Sequence, residues 1–400
     1  MFERFDEAKV AHTPFRRHAG DAAHQVLTPE GFRDAAQEIT AWPGYAPTRL
    51  CRLNALAAGL GVREVLYKDE GARFGLGSFK ALGGAYAALR VLRDEIARRR
   101  AVPPAKIDLA DLRDGRYGEE AARITLVSAT DGNHGRSLAW GCRRFGANCR
   151  IYIHAEVSEA RAQAMRDLGA DVVRIDGDYD ASVQVTRQVA EAKGWHVVSD
   201  TSWEGFTEPA RDVMTGYGVM IDEVTAALAS PPTQVFLQGG VGGMAAAICA
   251  AFRQHWGGAA PRTIVVEPDL AACLFASAKA DAATAVAIEE ESVMAGLSCG
   301  APSQLAWAIL REEVDDFLTI PDALVAPTVR LLARPAGDDP AIEAGESAVA
   351  GLAAAIVAAR RPELRAALGI DETSVLLFFG SEGITDPGAY AEMMMEAADA

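Results

Sequence analysis

The run Ile124-Thr125-Leu126-Val127-Ser128-Ala129-Thr130-Asp131-Gly132-Asn133-His134-Gly135 reads as a β-branched strand that ends in a polar, glycine-flanked turn, and residues 136–145 behind it carry helical spacing. The same alternation recurs downstream. Strands are expected at 149–153, 171–175 and 195–200, with helices at 159–168 and 181–193 between them. Another strand, 234–238, leads into Gly239-Gly240-Val241-Gly242-Gly243 and an alanine-rich helix, and 264–267 and 374–379 complete the set. Parallel neighbours need a crossover of a dozen or more residues, usually a helix, so this order implies α/β architecture with a mostly parallel sheet covered by helices on both faces.

Upstream, residues 62–69 alternate like a strand, and a loop punctuated by Gly71, Gly75 and Gly77 delivers Ser78-Phe79-Lys80 onto a helix expected over 78–100. An amine in a helix first turn lies near unpaired backbone N–H groups and a positive dipole end, which disfavours its protonated form. Lys80 is therefore a candidate nucleophile able to make a Schiff base. Read alone, a surface lysine after a glycine loop is the simpler account. The first 45 residues read as an N-terminal arm with one helix over 30–39 capped from Thr28, and 101–122 reads as a polar surface insertion. Residues 269–315 look alanine-rich and helical with a break at 294–300, and further helices are expected over 323–332 and 341–359.

Half of the 400 residues are hydrophobic, enough for large cores in two or three domain-sized units. The formal charge of −16 argues against nucleic acid and anionic membrane as partners, because phosphate contacts need clustered lysine and arginine. A small-molecule role is favoured. The start lacks a basic region followed by an apolar run, and no apolar stretch is long enough to cross a bilayer, so a cytoplasmic protein is expected. Six cysteines without a CxxC pair and seven histidines without paired spacing indicate neither a disulfide framework nor a metal site.

Three polar loops follow strands, where open α/β sheets gather ligands. Four glycines in Gly239, Gly240, Val241, Gly242 and Gly243 let backbone N–H groups close around an oxyanion. The loop has neither the GxGxxG spacing of a dinucleotide site nor a terminal GK[ST], so it suits a monophosphate or is a tight turn without ligand. Asn133 can donate to a ring hydroxyl or a carboxylate. For His134 a structural hydrogen bond to backbone is the favoured reading. Asp131 is either a proton acceptor at the mouth of the site or a helix cap, and Asp200, after a strand, can cap the next helix.

Lys80 within Ser-Phe-Lys, the Gly-Asn-His turn, the polyglycine loop and the late Ser381-Glu382-Gly383 together resemble the fold-type II pyridoxal-phosphate enzymes, the family of threonine dehydratase and tryptophan synthase β. Within it the pattern is most similar to the ammonia-lyases of 2,3-diaminopropionate, through Arg73-Phe74-Gly75-Leu76 and through Asp131, where the dehydratases usually carry serine. Matching segments at 68–84, 130–135, 178–180, 199–205, 238–244, 294–300 and 381–387 spread over most of the chain. Two departures stand out: Gly77, where asparagine is common, and Ile384, where aspartate is frequent.

The resemblance implies two open, twisted, mostly parallel sheets flanked by helices, with the cofactor in the cleft between domains. One domain would be discontinuous, 1–85 with 200–400, and the smaller would span 86–199. Pyridoxal 5'-phosphate would be held by Lys80 as a Schiff base, by Phe79 beside the ring, by Asn133 at the ring hydroxyl, by Gly239, Gly240, Val241, Gly242 and Gly243 at the phosphate, and by Ser381 at the pyridine nitrogen. Thr130, Asp131, His134, Tyr179 and Asp200 would contact a small amino-acid substrate, with Asp200 on its distal ammonium. Lys80 and Asp131 would be the two catalytic bases, one for each enantiomer. The implied reaction is α,β-elimination of 2,3-diaminopropionate to pyruvate and two ammonia, carried out by a homodimer. A dehydratase of serine, threonine or hydroxyaspartate is the alternative within enzymes, and a silent amino-acid sensor on the same fold the alternative outside them.

Overall fold

The structure is a computed structural model that describes residues 2–130, 132–177 and 179–395, without the side chains of residues 3, 179 and 180. The described residues hold strands β1 (Ala11–Pro14), β2 (Arg49–Arg52), β3 (Glu64–Asp69), β4 (Thr125–Ala129), β5 (Asn148–Ile153), β6 (Asp171–Arg174), β7 (His196–Val197), β8 (Gln234–Gln238), β9 (Arg262–Pro268), β10 (Asp316–Ile320) and β11 (Val375–Gly380). The chain forms two compact units, one of residues 1–29, 47–78 and 220–400, the other of residues 30–46 and 79–219.

The first unit carries a seven-stranded sheet in the order β1-β10-β9-β8-β11-β3-β2. Its five central strands run parallel, and the edge strands β1 and β2 are antiparallel to their neighbours. β8 and β11 are buried at every position, the pattern of parallel strands covered on both faces. The cover includes the helix Ala350–Arg360, which packs against β8 to β11 and buries every residue from Ala350 to Ala358. A helix that is apolar all round belongs inside a protein, between layers. Gly351 lets it come close, since a Cβ there would lie 3.0 Å from the carbonyl oxygen of Phe236.

The second unit carries a four-stranded, wholly parallel sheet in the order β6-β5-β4-β7. The helices Lys80–Arg99 and Asn133–Phe145 pack closely along it, because Gly84 and Gly141 leave no Cβ between them: one at Gly84 would meet Ser137 Oγ at 2.7 Å, and one at Gly141 the Cα of Ala85 at 2.7 Å. Two sheets, mostly parallel and flanked by helices, are what the sequence implies.

Several elements differ from their expected bounds. Residues 101–122 are not a loose insertion: the helices Leu109–Arg113 and Gly118–Ala121 bury Leu112 and Ala121, Ile107 is buried beside them, and Arg113 donates to Glu38 at 2.8 Å. Few apolar side chains in a charged background anchor the segment. Residues 281–303 are mostly non-helical, with helices only at Cys273–Ala280 and Gln304–Glu313 on either side. Asp281 at φ 52° ends the first helix, and serines and glycines interrupt the segment between the two. The strand 195–200 shrinks to His196–Val197 because Ser199 turns the chain by accepting the N–H of Thr201 at 3.1 Å.

In the first unit, the end of β3 and the loop behind it are gripped by a buried cluster of charges. The Arg73 guanidinium makes paired hydrogen bonds to Glu70 (Nε–Oε2 and Nη2–Oε1, both 2.8 Å) and to Glu223 (Nη1–Oε1 2.7 Å, Nη2–Oε2 2.8 Å). Lys68 donates to Glu223 and to the carbonyl of Thr48, whose hydroxyl donates to Glu70 at 2.6 Å. The Lys68, Glu70 and Arg73 side chains are at most 1% exposed. Burial works against the charge on Arg73, but Glu70 and Glu223 more than restore it and raise its pKa above the usual arginine value. Two cations and two anions leave the cluster neutral. Arg73→Met is expected to lower the unfolding free energy by about 3–5 kcal/mol, because it strands buried carboxylates, whereas Thr48→Ala costs about 1 kcal/mol; denaturant titration of the two variants tests the contrast.

Candidate active site

Lys80 opens the helix Lys80–Arg99, and its Nζ donates to Asp200 Oδ2 at 2.9 Å. Both side chains are about four-fifths buried, at 22% and 19% exposure. Burial opposes ionisation of Asp200, yet the charge of Lys80 and its hydrogen bond overcome it and hold the carboxyl well below the usual carboxylate range. Asp200 thus has a cationic partner rather than a helix to cap; the next helix starts only at Glu208. Phe79 is buried with its ring centroid 4.6 Å from that of Tyr217. Gly83 permits this tilted ring contact, since a Cβ there would meet the Tyr217 ring at 2.5 Å.

Asn133 and His134 begin the helix Asn133–Phe145 behind β4. The Nε2–H of His134 donates to the Val198 carbonyl at 2.9 Å, which leaves Nδ1 as an acceptor with no partner among the described residues. Burial lowers the pKa of the imidazole, with Asp200 opposing, so the ring is neutral near pH 7. The hydroxyl of Thr130 accepts the N–H of Gly132 at 3.4 Å, closing the turn. Asp131 and the side chain of Tyr179, both assigned to the site from sequence, lie outside the described residues.

In the first unit, Gly239 and Ser381 leave the carboxyl ends of the neighbouring strands β8 and β11 on one edge of the sheet. The N–H of Gly239 is taken by Val266 at 2.8 Å and that of Gly242 by Gly239 at 3.2 Å. Those of Gly240, Val241 and Gly243 have no acceptor among the described residues. Positive φ at Gly240 (61°) and Gly242 (94°) turns the backbone into the helix Gly243–Trp256. The result is a nest of unpaired donors at a helix N-terminus, a ready anion site. Ser381 is 5% exposed, and its hydroxyl has no partner among the described residues. Glu382 and Gly383 tie this segment to the loop before Lys80, through a bridge to Ser78 and a hydrogen bond from Gly383 N to Gly77 O at 2.9 Å.

Sequence reasoning missed three residues here. Tyr217 lies within an apolar helix and gives no signal. Glu223 is one more acidic residue on the same helix. Glu267, buried against Gly239, was visible only as a charge ending the apolar run Ile264-Val265-Val266.

The model of a family described as "Pyridoxal-phosphate dependent enzyme" matches residues 41–380. The chain belongs to that family. It is 37% identical over 363 residues to diaminopropionate ammonia-lyase of Escherichia coli (strain K12), covering 89% of each chain, and 34% identical over 369 residues to that of Salmonella typhimurium (strain LT2), covering 90% of each. The solved holo form of the Escherichia coli enzyme, containing selenomethionine, superposes with a TM-score of 0.88 at 33% identity over 98% of both chains. Within the family, the chain's place is therefore the branch of the diaminopropionate ammonia-lyases.

The residues present fit pyridoxal phosphate: a nest of unpaired N–H donors suits its phosphate, and a lysine at a helix start suits its aldehyde. Among the described residues no helix is long and apolar enough to cross a membrane. Gly135 supports the Asn133 turn, because a Cβ there would lie 2.4 Å from Met165 Sδ and 2.7 Å from Thr130 Cγ2. Gly135→Ala is expected to displace that turn, costing about 1–3 kcal/mol of stability and lowering cofactor affinity, read by thermal unfolding and by titration of the cofactor's absorbance.

Proposed function

We propose that the chain converts 2,3-diaminopropionate and water to pyruvate and two ammonia, with Lys80 and Asp131 as the proton-transferring bases. The observation that carries this reading is the ion pair between Lys80 Nζ and Asp200 Oδ2 at 2.9 Å. It sets an ionised carboxylate beside the lysine of a pyridoxal-phosphate enzyme. Bound pyridoxal phosphate supplies an electron sink for the bonds broken at the substrate's Cα and Cβ.

The chain's residues supply the rest. With Lys80 engaged by the cofactor, its Nζ would no longer be an ammonium for Asp200, and the distal ammonium of diaminopropionate would replace it like for like. A hydroxyl at that position, as in serine, leaves the buried carboxylate without a cation, and this separates the ammonia-lyase from the dehydratase reading. Released Lys80 is then a base able to take the Cα proton from one face. Asp131 serves the other face, and Tyr179 and Thr130 complete the substrate pocket. His134, neutral and fixed through Val198, offers Nδ1 as an acceptor. Phe79 would pack beside the cofactor ring, Asn133 would bind its hydroxyl, residues 239–243 its phosphate, and the neutral hydroxyl of Ser381 would serve its pyridine nitrogen. Such a neutral partner would leave the ring unprotonated and favour elimination over transamination.

We read the protein as a cytoplasmic homodimer. Its six cysteines are all unpaired, five of them buried, which suits a reducing compartment. Light scattering tests the dimer.

Release of ammonia and pyruvate from L- and D-diaminopropionate, beside serine and threonine, tests the activity. Asp200→Asn is expected to lower turnover of diaminopropionate relative to serine by at least about tenfold, and an unchanged ratio overturns its role. Asp131→Asn is expected to abolish turnover of the D-enantiomer while sparing the L-enantiomer; equal losses for both would refute the two-base assignment.

A further inference from the structure

Glu267 stands next to the end of β9 with its side chain wholly buried and without a cation. Its Oε1 accepts the N–H of Leu274 at 2.9 Å, and its Oε2 accepts that of Phe275 at 2.6 Å, so the carboxyl spans the first turn of the helix Cys273–Ala280. Its stem carries the glycine turn. A Cβ on Gly239 would lie 2.5 Å from Glu267 Cγ, so only glycine can rest there. The titratable neighbours are thiols: Cys273, which donates to the Gly240 carbonyl at 3.6 Å, and Cys299, whose Sγ lies 3.8 Å from where a Gly240 Cβ would be. No ionised side chain acts on Glu267 among the described residues.

We propose that Glu267 is a positioning residue for the turn 239–243, and that its ionised form and a phosphate dianion on that turn exclude one another, so that phosphate binding draws a proton onto Glu267. The inference rests on the reading that this turn holds the cofactor's phosphate. Two anions would otherwise share one water-poor corner of the first unit with no cation between them. The proton comes from solvent onto the carboxylate, and no bond of the phosphate changes. Burial already pushes Glu267 up to about 8, against the N–H groups of Leu274 and Phe275. A carboxyl with a raised pKa contributes its full stability below the ordinary carboxylate range and loses it as pH rises through about 8. Coupling is reciprocal: if bound phosphate raises the pKa of Glu267, ionised Glu267 weakens phosphate binding by the same factor.

The test uses the full-length chain stripped of cofactor, titrated with inorganic phosphate by calorimetry in two buffers of different ionisation enthalpy. Near pH 8 the wild-type chain is expected to take up about half a proton more per phosphate than Glu267→Gln. Its phosphate affinity is expected to fall about tenfold from pH 7 to pH 9, with a markedly flatter profile in the variant. Equal proton counts in both chains overturn the proposal. Should Glu267→Gln fail to fold, the infrared band of a protonated carboxyl in the wild-type chain decides: it grows when phosphate is added above pH 8, or the proposal is wrong. Gly240→Asp distinguishes failure of the underlying reading. A carboxylate on the turn abolishes phosphate binding if the phosphate sits there, and unchanged binding places the phosphate elsewhere whatever Glu267 does.

Discussion

Arg73 is held by two carboxylates at once, and the loop that leads to Lys80 takes its shape from that grip. The guanidinium fork matches Glu70 from its own turn and Glu223 from the helix Glu208–Ala227, so one side chain fixes a local bend against a distant element. Immediately behind it Phe74 sits at φ 51°, a conformation that a phenylalanine adopts only when its surroundings leave no choice. Gly75 and Gly77, at φ 71° and 83°, carry the chain on to Ser78, which is pinned to Glu382. A neutral, fully hydrogen-bonded cluster contributes less to stability than an apolar core of equal volume, but it allows one arrangement where an apolar core tolerates several. For the loop before Lys80, that restriction matters more than the energy.

The two units answer the same electrostatic problem in opposite ways. In the second, Asp200 is kept ionised by the charge of Lys80, its hydrogen-bonded partner. In the first, the glycine turn offers unpaired N–H donors with a carboxyl and no cation beside them. Charge is thus met by a counterion at one place and left to backbone N–H groups at the other.

The strand-turn-helix alternation, the glycine turn and Lys80 were legible in the sequence because each depends on local chemistry: β-branched runs, positive φ, a helix start. What the sequence hid depends on distant pairing. β1 and β2 are four-residue edge strands with little apolar signal, and they exist because β10 and β3 offer them open edges. β10 is short, and Asp316-Phe317-Leu318-Thr319-Ile320 comes after a helix closely enough to pass for its end. Arg73 marked the branch of the family, yet its partner Glu223 lies 150 residues away. Glu267 and Tyr217 matter through what they touch, which no spacing discloses.

The order of strands in the seven-stranded sheet bears on how the chain can be made. β11 is the last strand in sequence, yet it lies between β8 and β3, where Val375 pairs with Glu64 and Leu376 with Gln234. Until its final segment leaves the ribosome, the first unit holds β3 and β8 with no strand between them, each offering an apolar, unpaired edge. The second unit draws on residues 30–46 and 79–219 alone and can close much earlier. Synthesis therefore passes through a long interval in which the smaller unit can be native while the larger exposes its central sheet, the period when chaperone protection counts most.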